Sequence, residues 1–194
     1  MSRISVRHNL VVRLTHWINT LAFLGLIVSG TAILLAHPRL YWGETGAYGS
    51  PALLELPLPL NTDQSGWGRS LHFLAAWLCV LNGIAYVVCG ILSRHFGKEQ
   101  AMKYSAAQRI AYLTVVFVLF PLMIVTGLAM SPAVTAALPF IGSLFGGHQS
   151  SRTIHFFVTD ILVLFVIGHV AMVVLSGFGS GMRGMILAQK VLVS

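Results

Sequence analysis

The chain carries little charge and few carboxylates. Only 9% of its 194 residues are charged, with 5 Asp and Glu against 12 Lys and Arg, while 56% are hydrophobic and the mean hydropathy is +0.82. A soluble domain contains about 25% charged residues, so this composition excludes one and indicates an integral membrane protein. At this length we expect one domain over residues 1–194. The net charge of +7 is then a signal of membrane topology and not of a nucleic-acid partner.

Cysteine is almost absent as well. Cys79 and Cys89 lie within one apolar segment, at positions about 80° apart around a helix. We interpret both as core residues and not as a disulfide or a metal site. The chain has no Cys-x-x-Cys-His motif, so any haem would be bound without a covalent link.

Four apolar segments are long enough to cross a bilayer as helices, which takes about 20 residues. They run over residues 10–36, 69–92, 107–130 and 152–178. The sequence therefore predicts an all-α fold, a four-transmembrane-helix bundle with outer loops at 37–68 and 131–151. The first segment is too long for a signal peptide and lacks a cleavage site, so we expect it to remain as a helix. Pro121 predicts a kink in the third helix, and no internal repeat stands out.

Basic residues predict that both termini lie in the cytoplasm. In that orientation nine of the 12 Lys and Arg residues are cytoplasmic, namely Arg3, Arg7, Arg13, Arg94, Lys98, Lys103, Arg109, Arg183 and Lys190. The outer three are Arg39, Arg69 and Arg152. The long, Pro-containing outer loop at 37–68 is typical of a lid or a docking surface.

Four of the eight histidines fall inside the predicted helices. His155 and His169 lie on the fourth helix, on nearly one face and about 21 Å apart along the axis. The hydrocarbon core is about 30 Å thick, so one lies near each membrane surface. His16 lies at the cytoplasmic end of the first helix and His72 at the outer end of the second. The four form two pairs by depth, His16 with His169 and His72 with His155, and ionisable residues in membranes usually have a function.

Pairs of histidines from different helices suit haem better than zinc. Zinc commonly takes four ligands that include Cys or carboxylate, whereas haem iron needs two axial ligands and imidazole serves for both. Filling both positions favours electron transfer over oxygen chemistry. A recurring Arg-x-x-His spacing supports haem, at Arg13–His16, Arg69–His72 and Arg152–His155. Each arginine shares a helix face with its histidine and suits a haem propionate; the alternative is an arginine that only anchors its helix at the membrane boundary.

These motifs resemble those of the prokaryotic cytochrome b561 superfamily. The resemblance covers about the whole chain and is strongest to the membrane cytochrome b subunits of nickel–iron hydrogenases, formate dehydrogenases and thiosulfate reductases. It rests on Arg13, His16 and Trp17, on Arg69 and His72, and on Arg152, His155 and His169. It implies a bacterial inner-membrane protein with two haem b groups, ligated by the pairs derived above from depth. It also implies a quinone site near the cytoplasmic haem and a redox partner on the outer face. From their position on the cytoplasmic side, Arg13 and Arg109 are our candidates for the quinone site.

One departure from the superfamily bears on the partner. The third helix has no histidine, unlike the stand-alone type, which favours the branch that serves a partner subunit. The loop from His37 to Gly43 resembles versions paired with periplasmic molybdopterin enzymes. A homodimer is left open.

The leading hypothesis is a membrane protein that passes electrons between a periplasmic redox partner and the quinone pool. A second is a stand-alone quinone oxidoreductase that acts on a small oxidant such as superoxide, which predicts turnover without a partner. Whether the chain is itself an enzyme therefore stays open. A third is a histidine-lined metal or proton transporter, which predicts no haem spectrum and favours carboxylates, of which the spans hold Asp160.

Overall fold

The fold is described from a computed structural model of the chain. It describes residues 5–6, 10–46, 50–59, 65–92, 106–175, 177–186 and 191–192. At a few of these positions, Arg109 among them, the backbone is described but the side chain is not.

Helices make up most of the described residues. They are α1 (Leu10–Ala36), α2 (Ser65–Leu92), α3 (Ala106–Thr114), α4 (Phe120–Ala129), α5 (Pro132–Ala137), α6 (Phe140–Ser143), α7 (His148–Leu175) and α8 (Phe178–Ile186). Four stretches are long and apolar enough to cross a membrane: Leu10–Ala36, Gly66–Leu92, Ile110–Ala129 and His148–Leu175. The predicted all-α fold with four membrane-spanning helices is confirmed.

The bounds of the fourth span differ from the prediction because glycine and polar residues set them. Gly146 and Gly147 both have positive φ, 78° and 120°, so the helix begins directly after them at His148. Its first turn is polar and therefore lies before the apolar run that the prediction followed. Gly177, with φ 108°, ends the helix in the way glycine usually does. Helix α2 likewise begins at Ser65, four residues before the start that was predicted for the second span.

The third span contains a π turn over Val115–Leu119, between α3 and α4. The Phe120 N–H donates to the Val115 carbonyl, five residues back, which is the π-helical pattern. Pro121 follows at once and has no N–H to continue the ladder. The irregularity predicted at Pro121 is thus a π turn that precedes the proline.

Both of the loops that were predicted to lie on the outer side contain regular structure. In the first, β2 (Arg39–Leu40) pairs antiparallel with β3 (Leu54–Glu55), and Arg39 forms an ion pair of 2.8 Å with Glu55. The second, predicted as a connection over 131–151, contains the short helices α5 and α6. Pro132 is well suited to start α5. A further short pair joins β1 (Ser5–Val6) to β4 (Val191–Leu192).

The chain divides into two compact units. The first comprises Met1–Thr31, Gly66–Gly97 and Val166–Ser194, and the second comprises Ala32–Ser65 and Lys98–Phe165. Helices α1 and α7 each continue from one unit into the other. His16, His72 and His169 belong to the first unit, and His155 belongs to the second.

Candidate functional site

His16 and His169 lie together in the first unit. Their ring centroids are 6.4 Å apart and their ring planes meet at 89°. An imidazole nitrogen lies about 2 Å from a metal ion that it binds, so two imidazoles on opposite sides of one ion have ring centres about 6 Å apart. The separation therefore fits two axial ligands of one iron. The structure brings together the two residues of the predicted inner pair; their role as ligands stays a prediction.

Arg13 connects this pair to α8. Its Nε donates to the Met185 carbonyl at 2.9 Å and its Nη2 donates to the Ile186 carbonyl. The Trp17 indole N–H also donates to Met185, at 3.4 Å. The last carbonyls of a helix have no donor within the helix, so Arg13 and Trp17 cap α8. These bonds use two of the five guanidinium donors, which leaves others for the predicted haem propionate.

A buried amide joins α1 and α2 next to His16. Asn82 donates to the Thr15 carbonyl at 2.7 Å, and both residues are buried. Gly25 and Ala75 pack closely farther along the same two helices, because a Cβ on Gly25 would lie 3.4 Å from the Ala75 Cβ. Asn82 was not singled out in the sequence, although a lone amide within an apolar span is a usable signal.

His72 contacts a buried serine of α1 within the first unit. The Ser29 Oγ lies 3.0 Å from the His72 Nδ1, and Ser29 is fully buried. Gly30 lies beside the same ring, since a Cβ there would be 3.6 Å from the His72 Cε1. Ser29 therefore holds the His72 ring at Nδ1, and Gly30, which has no side chain, lies next to the ring.

His155 has the same kind of surroundings in the second unit. The Thr126 Oγ1 lies 2.9 Å from the His155 Nδ1, and Thr126 is fully buried. A Cβ on Gly127 would be 3.6 Å from the His155 Cε1. Two histidines in different units thus each contact a hydroxyl–glycine pair.

The hydroxyl–glycine pairs belong to a short internal repeat that the sequence analysis missed. Both segments read Ile-Val-Ser/Thr-Gly-x-Ala, at residues 27–32 and 124–129. Six residues in an apolar background do not stand out by composition. The signal that would have found them is a hydroxyl directly before glycine at the same place in two spans.

The first turn of α7 binds the segment His37–Glu44 of the outer loop. The backbone N–H groups of Gln149 and Ser150 donate to the Gly43 carbonyl at 3.0 and 3.2 Å, and the Gly43 N–H donates to the Ser150 Oγ at 2.7 Å. The His148 N–H donates to the Glu44 carboxylate at 3.2 Å. A carbonyl and a carboxylate thus satisfy the free donors that open the helix, where the helix dipole favours negative charge.

Side chains of the second turn of α7 hold the rest of the 37–44 segment. Arg152 donates through Nη1 to the Arg39 carbonyl at 2.9 Å and through Nη2 to the His37 carbonyl. Thr153 donates to the Tyr41 carbonyl at 2.7 Å. In this structure Arg152 therefore fixes the outer loop one turn before His155, a role that the sequence analysis did not anticipate.

Replacing Arg152 by alanine is expected to loosen the 37–44 segment. A hydrogen bond from a charged donor contributes about 1.5–3 kcal/mol, so we expect a loss of about 2 kcal/mol in the free energy of unfolding, together with faster amide exchange over residues 39–44. Arg39→Ala is the matched control, because it removes an exposed ion pair worth about 0–1 kcal/mol. Equal losses in the two variants would contradict the anchoring role.

The other predicted site residues are placed as follows. Arg69 is exposed in the second turn of α2. Arg109 lies in α3, with its side chain outside the described residues. Among the described residues, no group of three or more His, Cys, Asp or Glu side chains is arranged to hold a metal ion.

The sequence model of the prokaryotic cytochrome b561 family matches residues 7–187. The chain belongs to this family. Membership makes it a haem b electron-transfer protein, and with its four spans it is a multi-pass protein of the bacterial inner membrane. This cytochrome b561 is also similar to a protein of Azospira oryzae named putative protein-methionine-sulfoxide reductase subunit YedZ1. The two are 29% identical over 191 residues, covering 84% of this chain and 88% of the relative. No solved structure matches the chain.

Proposed function

We propose that this cytochrome b561 carries two haem b groups and passes electrons between a periplasmic redox partner and the quinone pool. The observation that carries the proposal is the approach of His16 and His169 to 6.4 Å between ring centroids, in a family that binds haem b. Membrane lipid surrounds the four spans. Both termini lie in the cytoplasm, in accord with the nine basic residues on that side against three outside.

His16 and His169 ligate the inner haem and His72 and His155 the outer haem. The second pair is supported by the matching depths of its members along their helices and by the hydroxyl–glycine pair that each contacts. Helix α7 supplies one ligand to each site, and its rise sets the two ligands about 21 Å apart along the axis.

Bound haem supplies a one-electron iron couple at each site. The residues of the chain determine what that couple is used for. An iron held by two imidazoles would be suited to electron transfer, because it would have no free position at which to bind oxygen or substrate. Arg13 and Arg152 would neutralise propionates through donors that remain beyond their bonds to the backbone. Arg69 would do so from the second turn of α2. Arg13 and Arg109 are the candidates for binding quinone at the cytoplasmic end.

The redox partner binds at the periplasmic face, where the 37–44 segment lies against α7. The name of the Azospira relative describes a reductase subunit, which supports a reductase as the partner. The resemblance of the loop supports a reductase of the molybdopterin class. With a reductase as acceptor, quinol would be the electron donor, and the haems held by His16 with His169 and by His72 with His155 would supply one-electron carriers between the two.

A reduced-minus-oxidised optical spectrum of the purified chain, combined with a haem-to-protein ratio, tests this proposal. We expect b-type bands and two haems per chain, with reduction by a quinol analogue in the absence of any partner. Turnover should then require the partner protein. A ratio of one, or the lack of b-type bands, would contradict the two-haem assignment.

A further inference from the structure

The hydrogen bonds of the Ser29 and Thr126 hydroxyls indicate which ring nitrogen of His72 and of His155 carries the hydrogen. The Ser29 hydroxyl lies 2.6 Å from the Gly25 carbonyl, and the Thr126 hydroxyl lies 2.7 Å from the Leu122 carbonyl. A carbonyl only accepts, and a hydroxyl has a single proton to donate. Each hydroxyl therefore spends its proton within its own helix and presents a lone pair to the histidine.

The lone pair requires a donor on the histidine side. At 3.0 Å for His72 and 2.9 Å for His155, that donor is an Nδ1–H group. A neutral imidazole with hydrogen on Nδ1 has its lone pair on Nε2. In this tautomer Nε2 is the nitrogen through which each ring would bind a metal.

We propose that Ser29 and Thr126 are positioning residues for the outer haem, each holding one axial histidine in the Nδ1–H tautomer and fixing the rotation of its ring. The inference rests on the proposed function, because it takes His72 and His155 as ligands. Neither hydroxyl touches the iron; each acts through its histidine.

A comparison within the chain separates this role from ordinary helix packing. Serine and threonine inside membrane helices commonly bond only the carbonyl one turn back. Thr20 does this, with its hydroxyl 2.9 Å from the His16 carbonyl. Ser29 and Thr126 have the same backbone bond and need no second partner, yet both reach an imidazole. The arrangement occurs twice, on different helices, with a glycine beside each ring.

The chemical consequence concerns the iron. A hydrogen bond from Nδ1–H makes the ligating nitrogen more basic, and loss of such a partner typically weakens metal binding 10–100-fold. A more basic imidazole stabilises the oxidised iron, so removing the acceptor raises the reduction potential. It also leaves a buried N–H without a partner.

Thr126→Val tests the proposal because it removes the hydroxyl and keeps the shape of the side chain. We expect the midpoint potential of one haem to rise and its low-spin ferric EPR signal to shift. The affinity for that haem should be about tenfold weaker, so less of it should be retained during purification. The other haem should keep its potential and serve as an internal reference. Ser29→Ala should affect the same haem, since both histidines ligate it, and Thr126→Ser, which restores the hydroxyl, should return wild-type values.

Thr20→Val is the control, because among the described residues its hydroxyl bonds the carbonyl one turn back in its own helix. The proposal is overturned if Thr126→Val and Ser29→Ala both keep wild-type potentials, EPR signals and haem retention, or if the two haems shift equally. If Thr126→Val does not accumulate, Ser29→Ala decides alone. A wild-type chain without two b haems would instead contradict the proposed function, so the two failures are distinguishable.

Discussion

Replacing His169 by alanine is expected to halve the haem content, from two haems per chain to one. We propose His169 and His16 as the two residues that hold the inner haem; their ring centroids lie 6.4 Å apart, and removing one of them would leave that haem with a single protein ligand. His155 on the same helix is untouched, so the outer haem should remain with its own potential and EPR signal. The measurements are the pyridine haemochrome per protein and a redox titration, which should change from two one-electron steps to one.

A matched control is available on the same helix. His148 is the first residue of α7, and its backbone N–H binds Glu44, so His148→Ala should keep two haems. The reciprocal variant, His155→Ala, should lose the other step of the titration. Loss of both haems in His169→Ala with an unchanged helix content, or retention of both, would show that the ligands are paired differently.

Replacing Gly147 by alanine is expected to detach the 37–44 segment from α7. A Cβ at this position would lie 2.5 Å from the Gly43 carbonyl carbon and 2.6 Å from the Glu44 nitrogen. These are backbone atoms and cannot rotate away. The positive φ of 120° adds strain of about 1–2 kcal/mol for any side chain. We therefore expect a loss of about 3 kcal/mol or more in the free energy of unfolding, and weaker electron transfer to the partner.

Gly146→Ala isolates the steric part of this effect. Gly146 also has a positive φ, of 78°, but a Cβ there would meet only the Ser150 hydroxyl, at 3.8 Å. Its expected loss is the backbone strain alone, about 1–2 kcal/mol. Amide exchange over residues 39–44 should rise in Gly147→Ala and stay near wild type in Gly146→Ala. Equal exchange and equal stability in the two variants would rule out a role for Gly147 in seating the segment.

The spans and the order of the histidines along them follow from the sequence, because both depend on length and on the helical rise. The sequence does not show that α1 and α7 approach each other at the predicted inner pair, His16 and His169. The structure shows this approach. The contacts of the Ser29 and Thr126 hydroxyls could not be predicted from the sequence, because the histidines that they contact lie on other helices. The six-residue repeat that contains them is hard to recognise within apolar spans.

The arginines show a second limit of sequence reasoning. A guanidinium near a membrane boundary suits a propionate, a lipid phosphate or a backbone carbonyl equally well by its chemistry. The structure shows Arg13 and Arg152 bonded to carbonyls of α8 and of the outer loop. Those acceptors arise only when the chain folds. One set is the carbonyls at the end of a helix, which have no donor within that helix, and the other is the carbonyls of a loop that lies against a helix.

The π turn at Val115–Leu119 bears on how relatives of this chain should align with it. A π turn closes over five residues where an α turn closes over four, so it absorbs one inserted residue without rotating the helix on either side. Tyr112 before the turn packs on Phe165, and Thr126 after it meets His155. A relative whose third helix is α-helical throughout would make both contacts with one residue fewer between them. Its alignment with this chain would show a single-residue gap just before Pro121. After that gap, its hydroxyl–glycine pair would align with Thr126 and Gly127.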